Sequence, residues 1–554
     1  MTDLTIHAFA VRTETQYIRA DHLGGRGSWK RDPYGDNPQR SEYRINTTSN
    51  QIYRYYGTAF DTYTTAYHGY NHYGVAGKSV ETNTLSNDQS RYILSGYRHD
   101  TDIWVLNQPT TTRVSRTDAA YTTVSEITYH GQTLGNARYA AYALPYETKS
   151  FATWTKRFSD YHFSGDAKGS IKTIEFNEKL IKANGSKSTK YRSYQASHYM
   201  RGKPQTIRLP ARYNDTGSMS SRQVVDPNGW VKSVTDFNGT TTYYHYDALG
   251  RIQSMDAPDP WIDRLFVWSV SAAGKPVRTV RKCILATRSR CAPDTLKLQT
   301  TTLYDGLFRP LIVNSEDVVN NEYRYTRSRF NAYGKATFTS YPSSTLPIIT
   351  STSGFSMVYD GLQRLQTTSQ SGGGTQSIYY ENDNKRRVND FKGNDTTTTY
   401  LAYGAPSYHQ ALKIASPENV TTSMVIDVLG HTHSITQTGM DGKGAGTVSQ
   451  TQYHVYNHLK QLCKTVRKDV GTTAYHRNVL GEILWQAQGV SNTQTDTCTS
   501  GVAPVRQIKW MGRTFLVERE WTVIISMIWS TNLRRLVFPM SMLSIPKNGL
   551  EVLS

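Results

Sequence analysis

Two histidines are separated by a single residue in the segment His431-Thr432-His433. Because alternate side chains of a β-strand lie on the same face, a strand here would place both imidazoles side by side. Imidazole nitrogens are common ligands of transition metals, so metal binding is the chemistry that this pair could support. The sequence identifies no third ligand. We therefore interpret the pair as part of a solvated strand and predict no metal ion and no cofactor.

Other segments that look like catalytic motifs are better explained as turns. The glycine-rich residues 441–447 lack P-loop spacing and a following helix, which favours a flexible hairpin loop. Asp256 and Asp259 are close in sequence, but Pro258 and Pro260 mark a turn there rather than an acid/base pair. Neither Gly-x-Ser-x-Gly nor His-Glu-x-x-His occurs. We predict no catalytic residue and no enzymatic activity.

The four cysteines are Cys283, Cys291, Cys463 and Cys498, and no Cys-x-x-Cys motif occurs. A structural zinc site is therefore disfavoured. The pair Cys283/Cys291 and the pair Cys463/Cys498 could each close a loop in an exported protein, and Cys463 and Cys498 are our candidate disulfide. Free buried thiols are the open alternative.

The composition predicts an all-β fold. The chain of 554 residues has 39 tyrosines against 15 phenylalanines, together with 40 glycines and abundant threonine and serine. Tyrosine and threonine favour strands, whereas glycine, asparagine and aspartate favour turns. Runs of strong helix-forming residues are rare. Residues 170–183 are ambiguous, because they fit either a strand or a strand followed by helical turns.

The formal net charge of +19 raises the question of an anionic partner. Lysine and arginine are spread along the chain, and local clusters such as Arg288-Ser289-Arg290 are short, so nucleic acid is disfavoured as a partner. Basic surface also serves solubility and contact with anionic cell surfaces. The N-terminus lacks the apolar core of a secretory signal, and the apolar run 522–529 is too short for a membrane span. We expect a secreted or cell-surface protein exported by a route that the sequence does not show, or a cytoplasmic one if it is not exported.

Residues 236–251, DFNGTTTYYHYDALGR, form the clearest structural unit. Thr242, Tyr244 and Tyr246 alternate and so fall on one face of a strand. Asp247 to Gly250 interrupt this alternation with turn residues. The ending of this unit begins at residue 246, and related endings begin at residues 304, 330, 359, 426 and 456. The gap of 58 residues equals two units of 29, and the gap of 67 residues holds a further unit that opens at Asp390. Units of roughly 20 to 30 residues fit two strands and two turns that are stable only when stacked.

This unit resembles the YD-repeat, or RHS-repeat, family. The family pattern is met at Asp236, Gly239, Thr242, Tyr244, Tyr246, Asp247, Gly250 and Arg251. Two further units keep the Tyr-Asp and Arg positions but place glycine directly after the aspartate: Tyr304, Asp305 and Arg309, and Tyr359, Asp360 and Arg364. We predict structural roles for these residues. Tyr244 and Tyr246 would pack against neighbouring hairpins, and Arg251 would pair with Asp247 or with its counterpart one repeat away.

The resemblance implies a continuous ribbon of antiparallel strands that spirals into a hollow shell. In bacterial members of the family, and in related insecticidal toxin complexes, the shell encloses a C-terminal toxin that is released by aspartate-dependent self-cleavage. Animal relatives use a similar barrel for adhesion. The partners implied are an enclosed or downstream toxin domain and secretion machinery. Tyrosine-rich strands also make cell-surface glycans candidate partners.

The chain departs from the family where its chemistry would lie. The Asp-Pro-x-Gly-Leu core signature has no match, and the similar letters Asp226-Pro227-Asn228-Gly229-Trp230 read as a turn at the front of the repeats. We divide the chain into a strand-rich part with degenerate repeats (1–225), the YD/RHS repeats (226–508) and an atypical tail (509–554). The tail has lost the Tyr/Thr alternation and is interpreted as out-of-frame or disordered sequence, with an interfacial helix or a small closing domain as the alternative.

The sequence thus predicts part of an open RHS-type shell that is non-catalytic and serves toxin delivery or cell contact. Two alternatives stay open at this point. One is a surface adhesion or carbohydrate-binding module. The other is the remnant of a disrupted gene without independent function.

Overall fold

The computed structural model of the protein describes residues 11–19, 45–56, 59–87, 89–131, 142–181, 187–210, 219–440, 442, 446–490, 498, 506–510, 513–517, 524–529 and 532–537. Strands make up the regular structure of these residues, apart from one short 3-10 turn at Gly165–Ala167. The all-β prediction is confirmed, and the ambiguous residues 170–183 contain a strand.

The first part of the chain contains strands β1 to β13. They are β1 (Val11–Arg19), β2 (Ile45–Tyr56), β3 (Ala59–Tyr70), β4 (Ala76–Asn83), β5 (Arg91–Asp100), β6 (Val105–Ser115), β7 (Thr122–Tyr129), β8 (Pro145–Ser150), β9 (Thr153–Tyr161), β10 (Ile171–Ile181), β11 (Lys187–Met200), β12 (Lys203–Arg208) and β13 (Ser220–Val225).

The second part contains strands β14 to β26. They are β14 (Val231–Thr235), β15 (Thr241–Tyr246), β16 (Ile252–Asp256), β17 (Asp263–Val270), β18 (Pro276–Cys283), β19 (Leu285–Thr287), β20 (Arg290–Cys291), β21 (Leu298–Tyr304), β22 (Pro310–Asp317), β23 (Glu322–Phe330), β24 (Ala336–Ser340), β25 (Gly354–Tyr359) and β26 (Leu365–Gln370).

The third part contains strands β27 to β40. They are β27 (Thr375–Glu381), β28 (Lys385–Asn389), β29 (Asp395–Tyr400), β30 (Ala411–Ala415), β31 (Thr421–Ile426), β32 (Thr432–Met440), β33 (Thr447–Tyr456), β34 (Leu462–Arg467), β35 (Gly471–Arg477), β36 (Ile483–Val490), β37 (Arg506–Trp510), β38 (Arg513–Val517), β39 (Ile524–Trp529) and β40 (Asn532–Val537).

One 34-stranded antiparallel sheet contains β1–β18 and β21–β36. Each strand pairs with the next strand along the chain, and β18 pairs with β21 because β19 and β20 form a separate hairpin between them. Successive connections therefore alternate between the two edges of a long ribbon. No pairing joins β1 to β36, so this sheet is not closed through its described strands. The pairing of β13 with β14 carries the sheet across residue 226 without a break.

The residues that form the strands also explain the pairing. Threonines face each other across neighbouring strands, as in the Thr235–Thr241 and Thr436–Thr451 pairs, whose hydroxyl oxygens are 2.8 and 2.9 Å apart. Such cross-strand pairs favour one register. Few hydrophobic side chains are fully buried, because the ribbon is a single layer. Tyr63, at 0% exposure, lies where two distant parts of the ribbon meet.

The atypical tail is described only in part. Residues 513–517, 524–529 and 532–537 are strands of two hairpins, β37–β38 and β39–β40. These three ranges contain no helix. The other residues from 511 to the end lie outside the described residues, as does most of the glycine-rich segment 441–447.

Candidate functional site: the repeat turns and the seam between ribbon segments

The aspartate that follows the tyrosine of the repeat motif organises the turn through its side chain and its backbone. The backbone N–H of Asp247 donates to the carbonyl of Arg251 at 2.9 Å, and the N–H of Gly250 donates to the carbonyl of Asp247 at 3.0 Å. The Oδ1 atom of Asp247 accepts the N–H groups of Leu249 and Arg251 at 2.9 and 3.0 Å. One carboxylate oxygen therefore satisfies two amides that would otherwise have no partner in the turn.

The same four hydrogen bonds recur at eleven turns of the described chain. These turns begin at Asn71, Asp226, Asp236, Asp247, Asp305, Asn331, Asp360, Asp390, Asp427, Asn457 and Asn478. An asparagine serves as well as an aspartate because the turn requires only the Oδ1 acceptor.

Two of these turns were missed in the sequence. The first, at Asn71, lies in the strand-rich part of the chain (1–225), where the sequence predicts only degenerate repeats. Its letters Tyr70-Asn71-His72-Tyr73-Gly74 match a Tyr-Asn-x-x-Gly ending and could have identified it. The second, at Asn478, has arginine in place of the preceding tyrosine. The Tyr-Asp or Tyr-Asn pair that identifies the other turns in the sequence is therefore incomplete there.

The fourth residue of each turn has a positive φ angle. Gly239 and Gly250 take this conformation at +85° and +77°. In the two units whose glycine is one step early, Phe308 and Gln363 take φ angles of +58° and +59° instead. The turn therefore keeps its geometry when the glycine is one step early in the sequence. Phe308 and Gln363 then adopt the left-handed conformation at the fourth position.

The arginine that ends the motif pairs with the aspartate of its own turn. Nη2 of Arg251 lies 2.6 Å from Oδ2 of Asp247, which decides between the two partners that the sequence left open. The two units with the early glycine show the same pair at 2.6 Å: Arg309 with Asp305, and Arg364 with Asp360. Each guanidinium also lies over an aromatic ring of a later strand, at 5.1 Å from Trp268, 5.1 Å from Phe330 and 3.8 Å from Tyr380 respectively. The pair thus joins one hairpin to the next.

The turn at Asp427 has His431 where these units have arginine, and His433 follows two residues later. Nδ1 of His431 and Nε2 of His433 both lie 3.2 Å from Oδ2 of Asp427. Burial of Asp427 opposes ionisation, but hydrogen bonds from the His431 backbone and from both imidazoles bring its pKa below the ordinary value. No cluster of three or more His, Cys, Asp or Glu side chains arranged to hold a metal ion occurs among the residues that the structure describes.

The tyrosine before the turn fixes its strand to the preceding strand. The hydroxyl of Tyr246 donates to the carbonyl of Val231 at 2.8 Å. Tyrosines throughout the sheet make the same bond to the preceding strand: Tyr129 to Pro109, Tyr161 to Pro145, Tyr199 to Ile171, Tyr359 to Ala336 and Tyr456 to Thr432. The N-terminal half therefore uses the same tyrosine contact without the full motif. Tyr244 is half-buried and lies opposite Met255. Tyr304 packs against Trp268.

Two distant parts of the ribbon meet edge to edge. The buried carboxylate of Asp61 accepts the backbone N–H groups of Asp383 and Asn384 at 3.0 and 3.2 Å. Burial raises the pKa of Asp61, although these two hydrogen bonds oppose the rise. The N–H and hydroxyl of Ser86 both donate to the carboxylate of Asp383, at 2.7 and 2.5 Å. These bonds connect turns that are about 300 residues apart in sequence.

The contact continues along the edge. Nδ2 of Asn83 donates to the carbonyls of Ala402 and Tyr403 at 2.9 and 3.2 Å. The guanidinium of Arg116 donates to the carbonyl of Ile426 at 3.1 Å. Arg192, only 2% exposed, lies 3.2 Å from Glu482.

We call this contact the seam: Asp61, Asn83, Ser86, Arg116 and Arg192 on one side, and residues 383–384, 402–403, 426 and 482 on the other. The contacts advance in the same direction on both sides. The ribbon therefore runs alongside an earlier part of itself, as in one turn of a spiral. Its polar bonds use side chains at the strand ends, and no hydrophobic pattern in the sequence marks them.

Each cysteine lies beside the partner considered from sequence. The sulfurs of Cys463 and Cys498 are bonded to each other, as are those of Cys283 and Cys291.

Asp256 ends β16, and Asp259 lies in the turn that follows. Burial and the nearby Asp263 raise the pKa of Asp256.

Residues 225–259 match the RHS Repeat family. The fold is similar to the crystal structure of TcdB2-TccC3 without its hypervariable C-terminal region, with a TM-score of 0.62 and 10% identity over 97% of this chain and 34% of that chain. The crystal structure of TcdB2-TccC3-TEV gives a TM-score of 0.45 at 10% identity, over 80% of this chain and 35% of that one. The chain spans about a third of the length of these structures. No curated protein sequence matches it.

Proposed function

We propose that this RHS-repeat chain is a wall segment of a toxin-associated shell, with a structural role and no catalytic site of its own. The seam is the observation that supports this role most directly. A single-layer sheet buries little apolar surface by itself, whereas a ribbon that joins its own edge can curve around a volume. The similarity in fold to TcdB2-TccC3 agrees with this arrangement.

The turn tips support a wall that accepts a further ribbon segment. Because connections alternate between edges, the turns that begin at Asp247, Asp305, Asn331, Asp360, Asp427, Asn457 and Asn478 share one edge with the earlier turns at Asn71 and Asp226. We call it the turn edge. In the turns at Asp247, Asp305 and Asn331, the third residues Leu249, Leu307 and Tyr333 are 77, 72 and 74% exposed. At the same position in the later turns, Leu362, Leu429, Leu459 and Leu480 are partly buried.

The later part of the turn edge is the part that takes part in the seam. We therefore propose that the exposed tips at Leu249, Leu307 and Tyr333 receive another turn of ribbon of the same kind. Leucine and tyrosine at these positions would then lose their contact with water, which favours association.

The partner that we propose for such a wall is a toxin domain held within it or following it in sequence, delivered by secretion machinery to the outside of the cell. No helix among the described residues is long and apolar enough to cross a membrane. Cell-surface glycans are a second proposal. They are favoured by the exposed aromatic tips Trp104 and Tyr333, at 73 and 74% exposure, because aromatic faces stack on sugar rings.

Electron microscopy combined with intact-mass spectrometry tests the proposed role. Particles of the purified full chain should show a curved wall around a cavity, and the mass should stay constant over days of incubation at neutral pH. A solid or flat particle would contradict the wall. A time-dependent cleavage that an aspartate substitution abolishes would contradict the absence of catalysis.

A further inference from the structure

Two loops at the edge opposite the turn edge are fastened together by one buried carboxylate. Asp263 is 7% exposed, and it accepts the N–H of Ala257 on Oδ1 and the N–H of Leu285 on Oδ2, each at 2.8 Å. Ala257 belongs to the loop between β16 and β17, and Leu285 to the excursion between β18 and β21. The disulfide between Cys283 and Cys291 closes this excursion around the β19–β20 hairpin. We call residues 257–262 and 284–297 together the edge knuckle.

The edge knuckle exposes large apolar side chains. Trp261, Ile262 and Ile284 are 71, 50 and 59% exposed. They lie in the two loops that Asp263 holds together, so they belong to one local surface. Because these loops project from a sheet edge, the surface offers apolar tips rather than a groove.

Five cations lie in these two loops or on the strands that flank them: Arg264, Lys282, Arg288, Arg290 and Lys297. No ion pair within the described part of the chain involves any of them. Arg264 and Lys282 lie directly opposite each other on β17 and β18. Like charges at facing positions of an antiparallel pair are destabilising, so an external anion would relieve a cost that the folded chain already carries. The carboxylates of Asp259 and Asp294 are the acidic groups in the loops themselves.

We propose that the edge knuckle docks on the surface of an anionic phospholipid bilayer. Tryptophan side chains are favoured at the boundary between headgroups and acyl chains, and lysine and arginine are attracted to anionic headgroups. A projecting apolar tip inserts into a deformable lipid surface, whereas a rigid protein partner would require a matching pocket. A second copy of this chain is a poor occupant, because both copies carry a net charge of +19. The inference is independent of what the shell contains.

Co-sedimentation of the full chain with vesicles tests the proposal. The chain should bind vesicles of phosphatidylcholine with phosphatidylglycerol and should not bind phosphatidylcholine alone. Sodium chloride should weaken the binding because it screens the headgroup charge. The double charge reversal Arg288→Glu with Arg290→Glu should reduce the partition coefficient at least tenfold, since each cation near an anionic membrane contributes substantially to binding. Trp261→Ser with Ile262→Ser should cause a similar loss by removing the inserted side chains.

Matched variants distinguish binding through the edge knuckle from binding through the general positive charge of the chain. Lys275→Glu with Lys335→Glu makes the same change in charge at the other edge of the ribbon, and Trp104→Ser removes another exposed tryptophan. Both controls should bind like the parent protein. Equal losses in the controls, or equal binding to both kinds of vesicle, would overturn the proposal. The proposal would also be overturned if the chain did not bind either kind of vesicle but bound polyglutamate, and if the Arg288→Glu, Arg290→Glu variant lost that binding. The edge knuckle would then be a binding site for an acidic protein.

Discussion

At the scale of single residues, the repeat turn depends on two positions with different physical demands. The first position must supply an Oδ1 acceptor, which both aspartate and asparagine provide. The fourth position must take a positive φ, which costs a residue with a Cβ atom more than it costs glycine. Arg251 and its equivalents add a charge pair to a turn that its backbone hydrogen bonds already define. A surface pair of this kind contributes less to stability than to register.

The fourth position gives the first prediction. Gly239 has a φ of +85°, and a Cβ added there would meet no atom within 4 Å. Gly239→Ala should therefore lower stability through backbone strain alone, by about 1–2 kcal/mol. The measurement is the apparent midpoint of thermal unfolding.

The control for this prediction is Gly306→Ala. Gly306 also has open space around it, but it is the second residue of its turn and lacks a positive φ. This variant should change stability by no more than about 0.5 kcal/mol. Equal losses from the two substitutions would show that the turn does not have the geometry described.

A second prediction concerns pH. The backbone N–H of Arg309 is the largest cause that lowers the pKa of Asp305, and the Arg309 side chain adds to it against a smaller effect of burial. Because the folded-state pKa is below the unfolded value of about 3.9, the contribution of Asp305 to stability is complete above that pH. It is lost as the pH falls through the folded-state pKa.

Asp305→Asn tests this dependence, since asparagine keeps the Oδ1 acceptor and occurs naturally at Asn331, Asn457 and Asn478. At pH 7 the variant should unfold at a lower temperature than the parent, because it keeps the turn but lacks the charge pair with Arg309. Between pH 5 and 3 it should lose less stability than the parent. A variant with the parental acid profile would contradict an ionised Asp305 that stabilises the fold.

At the scale of elements, the sequence predicts the individual strands and hairpins better than it predicts how many copies of the repeat turn the chain contains. Alternating threonine and tyrosine followed by turn residues identifies β14, β15 and β16 directly. The same hydrogen bonds form at Asn478 without a preceding tyrosine, and the tyrosine contact forms at Tyr161 without the turn motif. Each contact needs only one side chain, so the motif can lose half of its letters while the hairpin keeps its geometry.

The tyrosine contact gives a third prediction. The hydroxyl of Tyr246 donates to Val231 at 2.8 Å. Tyr246→Phe removes this bond and should lower stability by about 1 kcal/mol. Hydrogen exchange of the β14 and β15 amides should become faster, because the hydrogen bond that joins the ends of these two strands is lost. Tyr243→Phe is the control. Tyr243 is 50% exposed, and its hydroxyl makes no hydrogen bond within the part of the chain that the structure describes.

At the scale of the whole molecule, the ribbon fold could be expected from the repeats, but the seam could not. The residues that form it, such as Asp61, Asn83 and Arg116, lie at strand ends where polar side chains are ordinary. Their partners are about 300 residues away, and the repeats fix only contacts between neighbouring strands. Asp61 also shows why the seam tolerates little change, because its buried carboxylate serves two backbone amides at once.

The seam variant Asp61→Ala should therefore be costly. It leaves the N–H groups of Asp383 and Asn384 buried without this acceptor, and we expect a loss of roughly 2–3 kcal/mol. Asp236→Ala provides a comparison, because it also removes an acceptor of two amides but at an exposed turn where water can replace it. A smaller loss at Asp61 than at Asp236 would argue against a packed seam.

Cross-linking across the seam tests the central claim most directly. Ser86 and Asp383 are in contact although 297 residues separate them, and all four native cysteines are in disulfides. In the variant Ser86→Cys with Asp383→Cys, a short bismaleimide should join the two thiols within one chain, and tryptic peptides should contain the link. The control Ser86→Cys with Asp390→Cys places the second thiol in a turn at the other edge of the ribbon and should not be linked. Absence of the first link, or equal linking of both pairs, would contradict a ribbon that joins its own edge to form a wall.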